Sequence, residues 1–272
     1  MVSGVHVVVG GAGPPVVICS GLAGHWFDWD DTAEILARGH TVIRYDRPGY
    51  GSSPAATAPP EVRTEVARIV AILDALAITQ TAILVGHSLG AVYAEAFARL
   101  HPARTRSSTL LDPAFSVRPR RLIPTRWRVT SARTVSHLIS AYGVQRLLGP
   151  LTRRLLDHSV PPGGFTEQAR RRTAEFDRQP HYLEATLVEN AVFPSLALEL
   201  AGIRTRAPLT VPVTVAAADT GRPTPWGVLW LRRMHSFSRI LGARYVVVRP
   251  AHHQAMIDRP AEVAKVISES DH

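Results

Sequence analysis

The sequence predicts an α/β chain with a mostly parallel sheet covered by helices on both faces, and three observations carry that expectation. Short β-branched runs alternate with stretches of helical periodicity, the order that parallel pairing requires. The runs are nearly continuous in apolar character, as strands buried on both faces are. One long segment, residues 114–206, breaks the alternation and reads as a helical insertion.

In chain order, Val5–Val9 and Val16–Ser20 flank "GGAGPP", turn chemistry that reads as a strand–turn–strand opening. Thr41–Tyr45 is a third strand. Glu61–Ala77 follows Pro59-Pro60 and repeats Val62, Val66, Ile69, Val70, Leu73 and Leu76 at helical spacing. Thr81–Val85 then reads as a strand, Leu89–Leu100 as a helix and Ser108–Leu111 as a strand. The insertion is interrupted by "VPPGG" at 160–164. Strand patterns return at Val211–Ala217 and Tyr245–Val248, with a helical stretch between them and another from Pro260. The core is therefore expected to comprise residues 1–113 and 207–272, with 114–206 as a cap or lid. No internal repeat is visible.

Composition narrows the function classes. Of 272 residues, 46% are hydrophobic and 19% charged, ordinary values for a globular chain able to bury a large core. No run approaches the length of a transmembrane helix, and "MVSGVHVVVGGAGPP" lacks the basic start and long apolar core of a secretory signal. The single Cys19 excludes an intramolecular disulfide framework, and a cytoplasmic location is expected. The net charge is +9, and residues 115–206 hold 15 Arg against 7 Asp and Glu. That surplus reads as a solvated face, with weak contact to an anionic surface through the cap as the alternative. No zinc spacing, recognition helix or aromatic-interleaved groove points to nucleic acid. A small-molecule substrate, no metal or cofactor, and a monomer or homodimer are expected.

The strongest chemical signal is "ILVGHSLGAVYAEAFARL". Gly86-His87-Ser88-Leu89-Gly90 fits G-x-S-x-G, with an apolar strand running in and a small-residue helix running out. This is the pattern of a nucleophile elbow, where a serine is held exposed on a tight strand-to-helix turn and glycines leave room for the backbone crossing.

With these pieces in order, the sequence resembles the α/β-hydrolase superfamily, in its serine-nucleophile, esterase-like branch. "ICSGLAGHWFDWD" is similar to the family's oxyanion loop and "YDRPGYGSS" to its D-x-R/P-G-x-G-x-S segment. "GHSLG" matches the elbow, and "HHQAMIDRPAEV" is similar to the histidine loop before the last helix. The resemblance implies the α/β-hydrolase fold with a helical cap inserted after the sixth strand. Asp46 of the second segment is expected to be structural.

A serine hydroxyl needs a histidine to take its proton and a carboxylate to orient that histidine. Ser88 is the expected nucleophile. Of 12 histidines, His252 and His253 lie in the loop where chain order requires the base. Counting back from Asp258-Arg259-Pro260 selects His253 and puts His252 where the family has glycine. For the acid, Asp112 in "STLLDPAF" and Asp219 in "AAADTG" both stand after strands. The family count from Pro212 falls near Gly221, two residues beyond Asp219, so Asp112 is preferred and Asp219 kept as the alternative. The oxyanion donors would be the backbone N–H groups of Leu22 and Leu89. Gly21, His25, Trp26, His87, Phe115 and His252 are candidate pocket residues. Trp26, Trp29, Phe115, Trp127, Phe193 and Trp226 could together form an apolar acyl pocket. A serine at the elbow argues against the epoxide hydrolase and dehalogenase branches, which carry Asp there. The expected function is hydrolysis of an ester, thioester or lactone of a small, largely apolar substrate through an acyl-enzyme. A non-hydrolytic ligand-binding protein, or a biosynthetic lyase or acyltransferase on the same scaffold, is the alternative.

Overall fold

In the computed structural model, which describes residues 1–114, 123–146 and 159–270, the apolar runs become strands. They are β1 (Val7–Gly10), β2 (Pro15–Cys19), β3 (Thr41–Tyr45), β4 (Ala82–His87), β5 (Thr105–Leu111), β6 (Val213–Ala218) and β7 (Arg244–Val248). They form one sheet in the order β1-β3-β2-β4-β5-β6-β7, parallel except for β1 against β3. β1 and β2 are therefore not paired with each other as a strand–turn–strand opening suggests. β3 lies between them, and the turn must cross the end of that strand. Gly11 makes the crossing, with φ +77 and no room for a side chain.

Alternate side chains of each strand feed opposite faces, which is why these strands read as unbroken apolar runs. Val17, Cys19, Ile43, Leu84, Leu110 and Val215 join one core cluster with helices α2 (Val62–Ala75) and α3 (Gly90–Leu100). Val16, Ile18, Val42, Ile83, Val85, Leu111 and Ala216 join the other. There they meet α1 (Asp30–Leu36) and the C-terminal helices α8 (Ala255–Asp258) and α9 (Pro260–Glu269). The seven-residue α1 escapes sequence reading because it offers too few turns to show a period.

Between β5 and β6 the described residues form α4 (Thr125–Ala141), α5 (Glu167–Asp177) and α6 (Pro180–Arg206); α7 (Pro225–Leu241) follows β6. This helical segment follows the fifth strand of the chain, not the sixth. The stretch before β1 does not supply another strand, because Val2 and Val5 bridge each other across a turn at Ser3 and Gly4, both with positive φ. By length and composition α6 could cross a membrane. In this fold its Val188, Val192, Leu196, Leu200 and Ile203 are buried in the cluster of α2 and α3.

A β-carbon on Gly11 would lie 2.3 Å from the His40 carbonyl oxygen and 2.5 Å from that of Ala37, whereas one on Gly10 would meet nothing within 4 Å. Gly11→Ala is expected to destabilise the chain by about 1–3 kcal/mol and Gly10→Ala by less than about 0.5 kcal/mol, read from urea unfolding. Equal effects would mean that the crossing does not constrain the turn.

Candidate active site

The central strand β4 delivers the elbow. Ser88 sits at φ +50, a left-handed conformation that costs a non-glycine residue about 1–2 kcal/mol. Its backbone is held on three sides: the N–H donates to the Leu111 carbonyl at 3.0 Å, and its carbonyl accepts from Ala91 and Ala114 at 3.1 and 3.0 Å. Both glycines of the motif are sterically required. A β-carbon on Gly86 would stand 2.5 Å from Ala91 Cα, and one on Gly90 would stand 2.2 Å from the Cys19 carbonyl oxygen. Leu89 caps the N-terminus of α3, so its N–H belongs to the free donors of a helix start.

The structure brings Ser88, His253 and Asp112 together from three loops. Ser88 Oγ is 3.0 Å from His253 Nε2, and His253 Nδ1 is 2.5 Å from Asp112 Oδ2. An ionised carboxylate only accepts, so this arrangement places the imidazole proton on Nδ1 and leaves Nε2 free to accept from the serine. Asp112 is buried at the end of β5. Its Oδ1 accepts from the Ala218 N–H at 3.0 Å and the Trp230 indole N–H at 2.8 Å, which leaves Oδ2 for the histidine. Trp230, on α7, was not visible to sequence reasoning: a Trp in an amphipathic helix looks like packing.

Asp219, the alternative acid, is not brought to His253. It ends β6, its carboxylate pairs with Arg249, and its backbone joins Val248 and Ala251 at 3.0 and 2.8 Å. Gly221, where the family count falls, has φ +76 and carries no side chain. His252 turns to Asp258, whose Oδ2 accepts from its backbone N–H at 2.6 Å and lies 3.0 Å from its Nδ1, so it fixes the loop. Asp46 accepts from the Trp26 and Ser52 N–H groups at 3.1 and 3.0 Å, as a structural residue.

Gly21 passes directly over Ser88: a β-carbon there would be 2.9 Å from His87 Nδ1 and 3.1 Å from Ser88 Cβ. Leu22 follows it. His25 is buried, 3.1 Å from Asp177 Oδ1 and stacked on Phe27 and Tyr182, a contact between the loop after β2 and helices α5 and α6. The Trp26 ring carries the guanidinium groups of Arg44 and Arg172 at 5.0 and 4.5 Å. The aromatic acyl pocket does not form as expected. Trp29 is buried in the opposite core cluster and Trp127 and Trp226 are exposed, while Phe193 packs on the cluster of α2 and α3. Phe115 lies outside the described residues. A cavity of about 490 Å³ between α2, α4 and α6 has Tyr50, Thr64, Arg133, Glu184 and Val192 in its wall, but neither Ser88 nor His253. Among the described residues, no group of three or more His, Cys, Asp or Glu gathers as a metal site.

His87 is buried beside His253, and its Nε2 donates to the His253 carbonyl at 2.9 Å. Burial pushes its pKa down to about 3, aided by the neighbouring His253 and opposed by that hydrogen bond. The unfolded chain would protonate His87 near 6.5 and the folded chain only near about 3. Its contribution to stability is thus complete above the unfolded value and is lost as pH falls through that window. In the middle of the window the slope is about 1.4 kcal/mol per pH unit. Urea unfolding between about pH 4 and 5.5 (about one unit inside each limit) should show a shallower pH slope in His87→Gln than in the parent; parallel slopes would contradict the neutral buried imidazole.

The model of the alpha/beta hydrolase fold family matches residues 14–260. The chain is 34% identical over 116 residues to "Bifunctional epoxide hydrolase 2" of Sus scrofa, 40% of this chain and 20% of that one. It is 36% identical over 103 residues to the "Putative carbamate hydrolase RutD" of Azorhizobium caulinodans, 38% of either chain. Each match therefore spans well under half of the relative's own length. Among solved structures, Cfl2 from Burkholderia cenocepacia superposes with a TM-score of 0.76 at 20% identity, over 100% of this chain and 94% of that one. A match of the family model over nearly the whole sheet, on a fold of this strand order, means that the chain belongs to the alpha/beta hydrolase fold family.

Proposed function

We propose that the chain is a serine hydrolase that cleaves an ester-type bond, an ester, thioester or lactone, of a small and largely apolar substrate. The observation that carries this reading is the hydrogen-bonded line from Asp112 through His253 to Ser88 at 2.5 and 3.0 Å. In this mechanism Ser88 Oγ attacks the carbonyl carbon while His253 Nε2 takes its proton, and Asp112 stabilises the resulting imidazolium. The oxyanion of the tetrahedral intermediate accepts from the Leu22 and Leu89 N–H groups. Collapse expels the alcohol or thiol with the proton from His253. Water, deprotonated by the same histidine, then releases the acid and restores Ser88.

The nucleophile's chemistry separates this reading from the epoxide-hydrolase relatives. Serine attack on an epoxide would leave an ether, which an activated water does not cleave. Serine attack on an acyl carbon leaves an ester, which it does. Leu22 and Leu89 join the apolar cluster that α4 and α6 extend with Val129 and Val192, which favours an apolar acyl group.

Turnover of p-nitrophenyl esters of graded chain length tests the assignment. Asp112→Asn is expected to lower kcat by about 10⁴-fold, because the histidine loses its tautomer and its counter-charge. Ser88→Ala and His253→Ala should lower it at least as far, whereas Asp219→Asn should change it by less than about tenfold. Turnover that survives Ser88→Ala, or that depends on Asp219 and not Asp112, would overturn the assignment.

A further inference from the structure

One buried cation lies behind the proposed oxyanion hole and is not used by the mechanism. Arg47 follows β3 and is 3% exposed. Its Nη1 donates to the Ser20 carbonyl at 2.6 Å and its Nη2 to the Gly21 carbonyl at 2.8 Å. The other side of the guanidinium grips Glu189 of α6 in a bidentate pair, Nε to Oε1 at 2.9 Å and Nη2 to Oε2 at 2.8 Å. Tyr50 and Tyr93 donate to the same carboxylate at 2.7 and 3.1 Å. Burial is the largest single influence and works against the arginine's charge, but Glu189, Tyr93 and Tyr50 together outweigh it, and the guanidinium pKa lies above its ordinary value.

The geometry bears on one peptide in particular. The Gly21 carbonyl and the Leu22 N–H belong to the same planar, trans unit and point in opposite directions. Holding the carbonyl therefore holds the N–H, and a cation on the carbonyl polarises the peptide and strengthens the N–H as a donor. The Gly24 N–H adds a second donor to that carbonyl at 3.2 Å. Gly21 itself lies against Ser88 Cβ, so the peptide being held adjoins the nucleophile.

We propose that Arg47 is the positioning residue of the oxyanion loop, and that Glu189 makes its hold depend on the seating of α6. The inference rests on the reading of Leu22 as an oxyanion donor. A displacement of α6 would withdraw Glu189, loosen Arg47 and release the Leu22 peptide, so acylation would proceed only with the helical segment in place.

The test combines ¹⁵N relaxation of the Leu22 amide with steady-state kinetics in Arg47→Lys and Glu189→Gln. Lysine keeps a charge but, with three donors on one nitrogen, cannot make the four contacts of the planar fork, and Gln keeps the shape of Glu189 without its charge. In Arg47→Lys the Leu22 order parameter should fall from near the rigid value of about 0.85 to below about 0.6. kcat should fall by about 10²-fold with KM changed less than about twofold, and affinity for a trifluoromethyl ketone should fall in step with kcat. Glu189→Gln should show the same pattern to a smaller degree, and it carries the test if Arg47→Lys does not fold. A rigid Leu22 in a folded variant, or a rise in KM at unchanged kcat, would overturn the proposal. Loosening of Leu22 in a protein whose parent does not turn over esters would refute the hydrolase reading and leave the clamp standing.

Discussion

The Asp112 carboxylate is a charge buried at the end of a central strand, and burial on that scale is tolerated only when the lone pairs are occupied. Ala218 and Trp230 occupy one oxygen and His253 the other, so one side chain ties together β5, β6, α7 and the loop after β7. The order of the strands makes this possible. Because β6 pairs beside β5, the Ala218 N–H arrives next to Asp112 without any long side chain reaching across. The imidazole is thereby aimed at Ser88, and His87 secures the backbone of the same loop from below.

On the other side of Ser88 the constraint is steric. Gly86 and Gly90 let α3 cross back over β4, which turns Ser88 into the left-handed region with its hydroxyl outward. Conformational strain of this kind persists only where the surroundings over-determine it. Here the three backbone hydrogen bonds of Ser88 do so, together with the buried face of α3. In the proposed mechanism, rigidity at Ser88 and a clamped Gly21–Leu22 peptide are complementary: both fix positions before a substrate arrives, which is how preorganised donors and dipoles become useful.

Much of this was legible in the sequence where the chemistry is local. The elbow is a five-residue pattern between a strand and a helix, and the strands announced themselves because burial on both faces leaves unbroken apolar runs. The choice of acid was not legible in the same way. Asp112 and Asp219 each follow a strand, and β5 and β6 are neighbours; what separates them is Arg249 beside one and Trp230 beside the other. β3 between β1 and β2 was likewise hidden, because nothing in "GGAGPP" distinguishes a hairpin from a crossing. Glu189 was the one distant partner with a visible signal. It interrupts the apolar face that Ala185, Val188, Val192 and Leu196 lay along α6, and a charge in such a place implies a buried partner. Its partner Arg47 lies 142 residues away, in the "YDRPGYGSS" segment, whose resemblance to the family pattern names no partner for the arginine.

The claim on which the functional reading stands is that Ser88 is a nucleophile activated by His253. Covalent capture tests it without any knowledge of the substrate. After treatment with a fluorophosphonate, peptide mass mapping should place a single adduct on Ser88, absent from Ser88→Ala and strongly slowed in His253→Ala. An adduct on another residue, or a folded parent protein that stays unmodified, would contradict it.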